Sequence, residues 1–417
     1  MPDVDQQTFE HLAATGRAKG AAAVLDTLAA SLRDAERYHE LFEARLMAAR
    51  HALGRPVNDR TSLDDLPPNV RDRLEAAYLD ACREVGTAFL MQDRLREAWM
   101  YLRPLGEKQA LAEKIAQIAV TPENVDLLVE LSLHEGICPA RGYELVLENY
   151  GTCSAITMFD SIAQGRTREE RAQLAQTLVR HVHRELSTNL RADLARRGPA
   201  GQTSAAREST NDDQATIPEL VADRDWLFAD LNYHIDSSHL AATVRIARLA
   251  GDAPTLRLAW ELCEYGRRLA APYQFASEPP FRELYADSGR YFRALLGEDV
   301  EAALEFFGTQ ARGTANEGAD TEAAGTELAN TAAAGTEASN LMAAEVYVAL
   351  LAHAGRAKEA LAASLAMLPV GAPTMDIAPN VWELAARAQR FDLVRDACRA
   401  RGDLLGFAAA LVSGESR

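Results

Sequence analysis

At 417 residues, 48% of them hydrophobic and 25% charged, the chain has the make-up of a globular protein, with room for two or three domains or one elongated array. Its net charge of −17 excludes a general basic surface for nucleic acid and gives no reason to settle on an anionic membrane. No run approaches the ~20 apolar residues of a membrane span, and Met1-Pro2-Asp3-Val4 lacks the basic and apolar regions of a secretory leader. Five cysteines (Cys82, Cys138, Cys153, Cys263, Cys398) are scattered without a Cys-x-x-Cys step, which argues against a disulfide framework. The expected setting is the cytoplasm.

Apolar residues recur at helical spacing over 8–53, a polar loop ends at Pro67-Pro68, and two more helices are expected over 69–105. In that second pair Gly86, Phe89, Ala98, Leu102 and Leu105 fall where a tetratricopeptide repeat places small or apolar residues between its two helices, around a turn at Gln92-Asp93-Arg94. Cys82 stands at the usual tryptophan position, and the closing proline is missing. The steps from Gly297 to Ala302 and from Gly355 to Ala360 repeat the turn-and-helix phrase. Together these segments resemble the tetratricopeptide-like superfamily over about a quarter of the chain. The resemblance implies an all-α superhelical array of antiparallel hairpins, a tetratricopeptide-like α-solenoid, whose concave face binds a protein or peptide.

Farther along, 109–163 reads as short helices. Arg168–Arg197 holds neither Gly nor Pro and is expected to form one long helix. Residues 198–216 form a polar loop, and helices resume over 217–311. Residues 312–340 are low in complexity, with Gly-Thr-Glu twice, and predict a disordered or weakly helical linker. No run alternates like a strand. The expected organisation is an N-terminal array (1–197), the loop (198–216), a central region (217–311), the linker (312–340) and C-terminal hairpins (341–417).

Chemistry-bearing residues concentrate in three stretches, each at an expected helix–helix junction. In the densest, His234, Asp236 and His239 fall within six residues. Asp236, Ser237 and Ser238 are all good N-caps for the amphipathic run beginning at Leu240, so one helix should end near Tyr233 and another begin near Ser238. A tight turn there brings both histidines toward Asp236, and two imidazoles with one carboxylate are the ligand set of non-haem iron sites. The plain alternative is a capping Asp236 beside packed or solvated histidines.

The second stretch offers His134 and Glu135 as a general base or a further ligand. Cys138 stands where the zinc-protease motif needs its second histidine, so that activity is argued against. The third offers Cys153 near a helix start, where the dipole favours a thiolate, as a nucleophile with His134 or His234 as its base. A buried structural thiol is the alternative. On the long helix, His181 and Glu185 share a face as a solvated pair. No phosphate loop, dinucleotide fingerprint or serine elbow occurs, and no nucleotide cofactor is expected.

Two functions follow. The first is a metal-dependent enzyme on a helical-repeat scaffold. His234, Asp236 and His239 would hold iron, zinc or manganese, and His134, Glu135 and Cys153 would act on a small molecule or peptide. The second is a non-enzymatic adaptor that binds a protein or peptide on its concave face.

Overall fold

The computed structural model describes residues 3–59, 61–197, 215–275, 277, 279–313, 326–369 and 375–415, with backbone alone at 3–5, 326–338 and 415. The protein is all-α, and no strand occurs among the described residues. It divides into two compact units, Met1–Leu145 and Val146–Arg417. Most helices pack mainly on their neighbours in sequence, including Ala21–Asp34 on Tyr38–Ala52 and Pro68–Met91 on Leu95–Leu102.

In the N-terminal unit the close approach expected at Gly86 is present. A Cβ there would lie 2.7 Å from the Leu102 side chain and 3.3 Å from the Ala98 carbonyl. Phe89 is wholly buried and stacks on Tyr101 with ring centroids 5.8 Å apart.

Among the described residues one connection recurs four times, in both units. Glu36, Asp93, Gly355 and Gln389 take φ of 55°, 60°, 75° and 54° between consecutive helices. The next residue is always arginine, and its amide closes the preceding helix: Arg37 on Leu32, Arg94 on Phe89, Arg356 on Leu351 and Arg390 on Ala385, at 2.9–3.1 Å. That is the six-to-one bond of a Schellman stop, which needs a left-handed residue. Each arginine then pairs with an acid in the first turn of the next helix, namely Glu40, Glu97, Glu359 and Asp392. The acid also suits the positive end of that helix.

The C-terminal unit is organised on the long helix, which runs Arg168–Arg197 as the sequence predicts. Leu174, Leu178, Val182, Leu186 and Leu190 step by four along one face, and all are fully buried. Burial of each such side chain stabilises by about 1.5–3 kcal/mol. This face packs on helices Ser237–Ile246 and Ala253–Gly266, so the long helix belongs with the residues that follow it rather than with an N-terminal array ending at 197. The division falls instead in the segment Pro139–Ala163, which is itself broken at Gly151 (φ 83°, ψ 167°).

Of the two expected polar segments, 198–214 and 314–325 lie outside the described residues. From Thr326 the backbone is helical and runs without interruption to His353, so the second half of the expected 312–340 linker is the start of a helix.

Candidate functional site

The predicted metal stretch folds differently from its expectation. No regular helix ends at Tyr233. Asp225–Leu231 is a 3-10 segment interrupted by extended Ala229 (ψ 154°) and left-handed Asp230 (φ 54°). His234 therefore sits in a bend between the 3-10 segment and the next helix. Asp236 is the N-cap of Ser237–Ile246, and its Oδ1 accepts the amides of Ser238 (2.8 Å) and His239 (3.2 Å). A cap of this kind stabilises by about 1 kcal/mol. Asp236 is exposed and His239 half-buried, whereas His234 is buried.

His234 points away from both. Its Nε2 lies 3.0 Å from Asp193 Oδ2 on the long helix, and its Nδ1 lies 3.1 Å from the Tyr265 hydroxyl. The tautomer follows from the partners. Asp193 can only accept, so Nε2 carries the hydrogen. The Tyr265 hydroxyl accepts the His234 amide (2.8 Å) and donates to Nδ1. Asn189 Nδ2 donates to the His234 carbonyl at 2.8 Å. Both ring nitrogens and both backbone groups are thus used inside the protein.

The electrostatics fit this arrangement. Burial lowers the His234 pKa below the ordinary histidine value, against the raising effect of Asp193. The bond from Arg197 holds Asp193 at about 2, with a smaller contribution from His234. Burial pushes the Tyr265 phenol up. The result is a neutral imidazole bonded to an ionised carboxylate, closed off from solvent.

A second, part-buried pair joins the long helix to Ala253–Gly266. His183 Nε2 is 2.9 Å from Glu261 Oε2, which also accepts the Ile217 amide at 3.0 Å. Among the described residues no group of three or more His, Cys, Asp or Glu side chains is placed to hold a metal ion. An ion at His234 would first have to displace Asp193 or Tyr265.

The other candidates are placed as follows. In the N-terminal unit, His134 is exposed at the end of the π-helical turn Glu130–His134. Glu135 accepts the Trp99 indole N–H at 2.8 Å and lies 3.5 Å from Arg103. In the C-terminal unit, Cys153 is the one exposed thiol of the five, two residues past the Gly151 break. His181 bonds Arg184 at 3.3 Å, while Glu185 faces Thr152 at 3.5 Å, so the expected His181–Glu185 pair is not made.

A different surface stands out for its lack of polarity. Helix Leu404–Glu415 packs on Phe391–Arg401 through Ala410 and Gly406, where a Cβ would lie 2.7 Å from Cys398 Sγ. Its opposite side is left to solvent: Leu404 is 81% exposed, Leu405 86% and Val412 65%. Ala408 and Ala409 complete this stripe at helical spacing, and no charged residue precedes Glu415 on the helix. Beside it runs a groove of about 650 Å³, lined by Phe391, Asp392, Arg395, Ala410, Leu411 and Gly414.

No protein-family model, curated protein or solved structure matches this chain.

Proposed function

We propose that this protein is a non-enzymatic helical-repeat scaffold of the tetratricopeptide-like kind, and that it binds a partner protein on the outer face of its C-terminal helix. The observation that carries this is the Leu404–Leu405–Val412 stripe. A contiguous exposed apolar face marks an interaction surface and invites cover. Each leucine covered by a partner gains about 1.5–3 kcal/mol. A stripe at i, i+4 and i+8 fits an amphipathic helix laid alongside it. The four repeated turns, and the Gly86 contact with Leu102 and Ala98, support the repeat reading. The interior bonds of His234 and Glu135 favour an adaptor over the metal-dependent enzyme.

The test is affinity capture from the native cell with the full chain and with Leu404→Gln/Leu405→Gln. Exposed polar substitutions of this kind change stability by about 0.5 kcal/mol or less. A protein retained by the wild type and lost tenfold or more in the variant is expected. Identical captured sets, with both chains folded, would count against the proposal.

A further inference from the structure

A cavity of about 400 Å³ opens in the C-terminal unit. Leu256, Tyr291 and Ile377 form its buried apolar floor, and half-buried Arg248 lines it beside them. Arg248 lies in the 3-10 turn Ala247–Leu249, which packs on the long helix. Its guanidinium carbon sits 3.5 Å from the Phe281 ring centroid, and Nη2 donates to Ser288 Oγ at 3.1 Å. Its Nε is buried and has no hydrogen-bond partner among the described residues, and no carboxylate there forms an ion pair with it.

A guanidinium partly withdrawn from water without a bonded anion is costly, and stacking on a ring offsets only about 2 kcal/mol of that. Burial accordingly lowers the Arg248 pKa, though arginine stays charged at neutral pH. The other lining charges nearly cancel. Arg168 and Arg387 oppose Glu169 and Glu383 at the exposed rim, and Asp376 is already paired with Arg171. Arg248 is left as the lining cation without an ion pair among the described residues, and buried Asp287, bonded to Arg290, compensates it only at longer range.

We infer that this cavity binds a small apolar monocarboxylic acid, with its carboxylate on Arg248 and its hydrocarbon part against Leu256, Tyr291 and Ile377. The planar guanidinium fork matches a carboxylate in two parallel bonds. A phosphate dianion would bring more charge than Arg248 neutralises and would face the rim acids. The volume is that of an ordinary small-ligand pocket.

Calorimetric titration of the full chain with 3-phenylpropionate, benzoate, octanoate and inorganic phosphate tests this. Saturable binding of at least one monocarboxylate, and none of phosphate, is expected. Affinity should fall more than tenfold in Arg248→Lys, which keeps the charge and loses the fork. Should that variant not fold, Ala352→Phe fills the cavity from its wall, leaves Arg248 in place and is expected to abolish binding. No saturable binding by any of the three acids overturns the inference. So does phosphate binding as tightly as they do, or unchanged affinity in a folded variant.

Discussion

His234 joins three pieces of the C-terminal unit, so its replacement reads first as a change in stability. His234→Ala removes a hydrogen bond to a buried carboxylate and leaves the Tyr265 O–H without its acceptor. The expected cost is about 2–4 kcal/mol in denaturant unfolding. A loss of under ~0.5 kcal/mol, the size of an ordinary surface change, would show that the knot is not structural. The pH dependence has a definite sign. Burial keeps the folded His234 pKa below its ordinary value of 6.5, so the unfolded chain takes the proton first as pH falls. Stability from the neutral imidazole is complete above pH 6.5 and is lost below it. Asp193, held at about 2 against an ordinary 3.8, adds stability that persists above pH 4 and disappears toward pH 2. His234→Gln should therefore lose less stability than the wild type between pH 7 and pH 5, and equal losses would contradict this. Cys153 gives an independent check at the same scale. It is the only exposed thiol of five, so one thiol per folded chain should react rapidly with a maleimide and all five after unfolding.

The four Schellman turns carry the argument at the scale of elements. Gly355 has φ of 75° with nothing within 4 Å of a built Cβ, so Gly355→Ala isolates the backbone term. The left-handed region costs an ordinary L-residue about 1–2 kcal/mol, and a loss near 1 kcal/mol in urea unfolding is expected. The converse change, Gln389→Gly at φ 54°, should raise stability by a similar amount. Opposite signs would mean that these turns are not under the strain their dihedrals imply.

Helix existence was readable because it rests on local pattern. Arg168–Arg197 shows its own limits, and Asp236 beside Ser237 and Ser238 reads as an N-cap from residue type alone. The partners of His234 were not readable, because Asp193 and Tyr265 lie 41 and 31 residues away. Left-handed Asp230 also re-aims the segment in a way that periodicity cannot register. One signal was available: Asp193 follows Leu190 by three on the apolar face of the long helix, an unusual place for a carboxylate. Arg248 gave none, because an arginine near the end of an amphipathic helix reads as surface charge until Phe281 and Ser288 are seen around it.

At the scale of the molecule, the two units share a recurring turn, Glu135, His234 and Asp236 are bonded within the fold, and the exposed apolar stripe lies on Leu404–Glu415. A partner there must touch Leu405, which is 86% exposed. Replacing Leu405 with the photo-crosslinking residue p-benzoylphenylalanine, and exposed Glu75 as a control, places one reporter on the stripe and another on a charged position of the N-terminal unit. Irradiation in the native cell is the most direct measurement. A discrete crosslinked species from position 405 and not from position 75 is the expected result. Crosslinking at 405 that is absent, or no different from that at 75, would contradict the scaffold account.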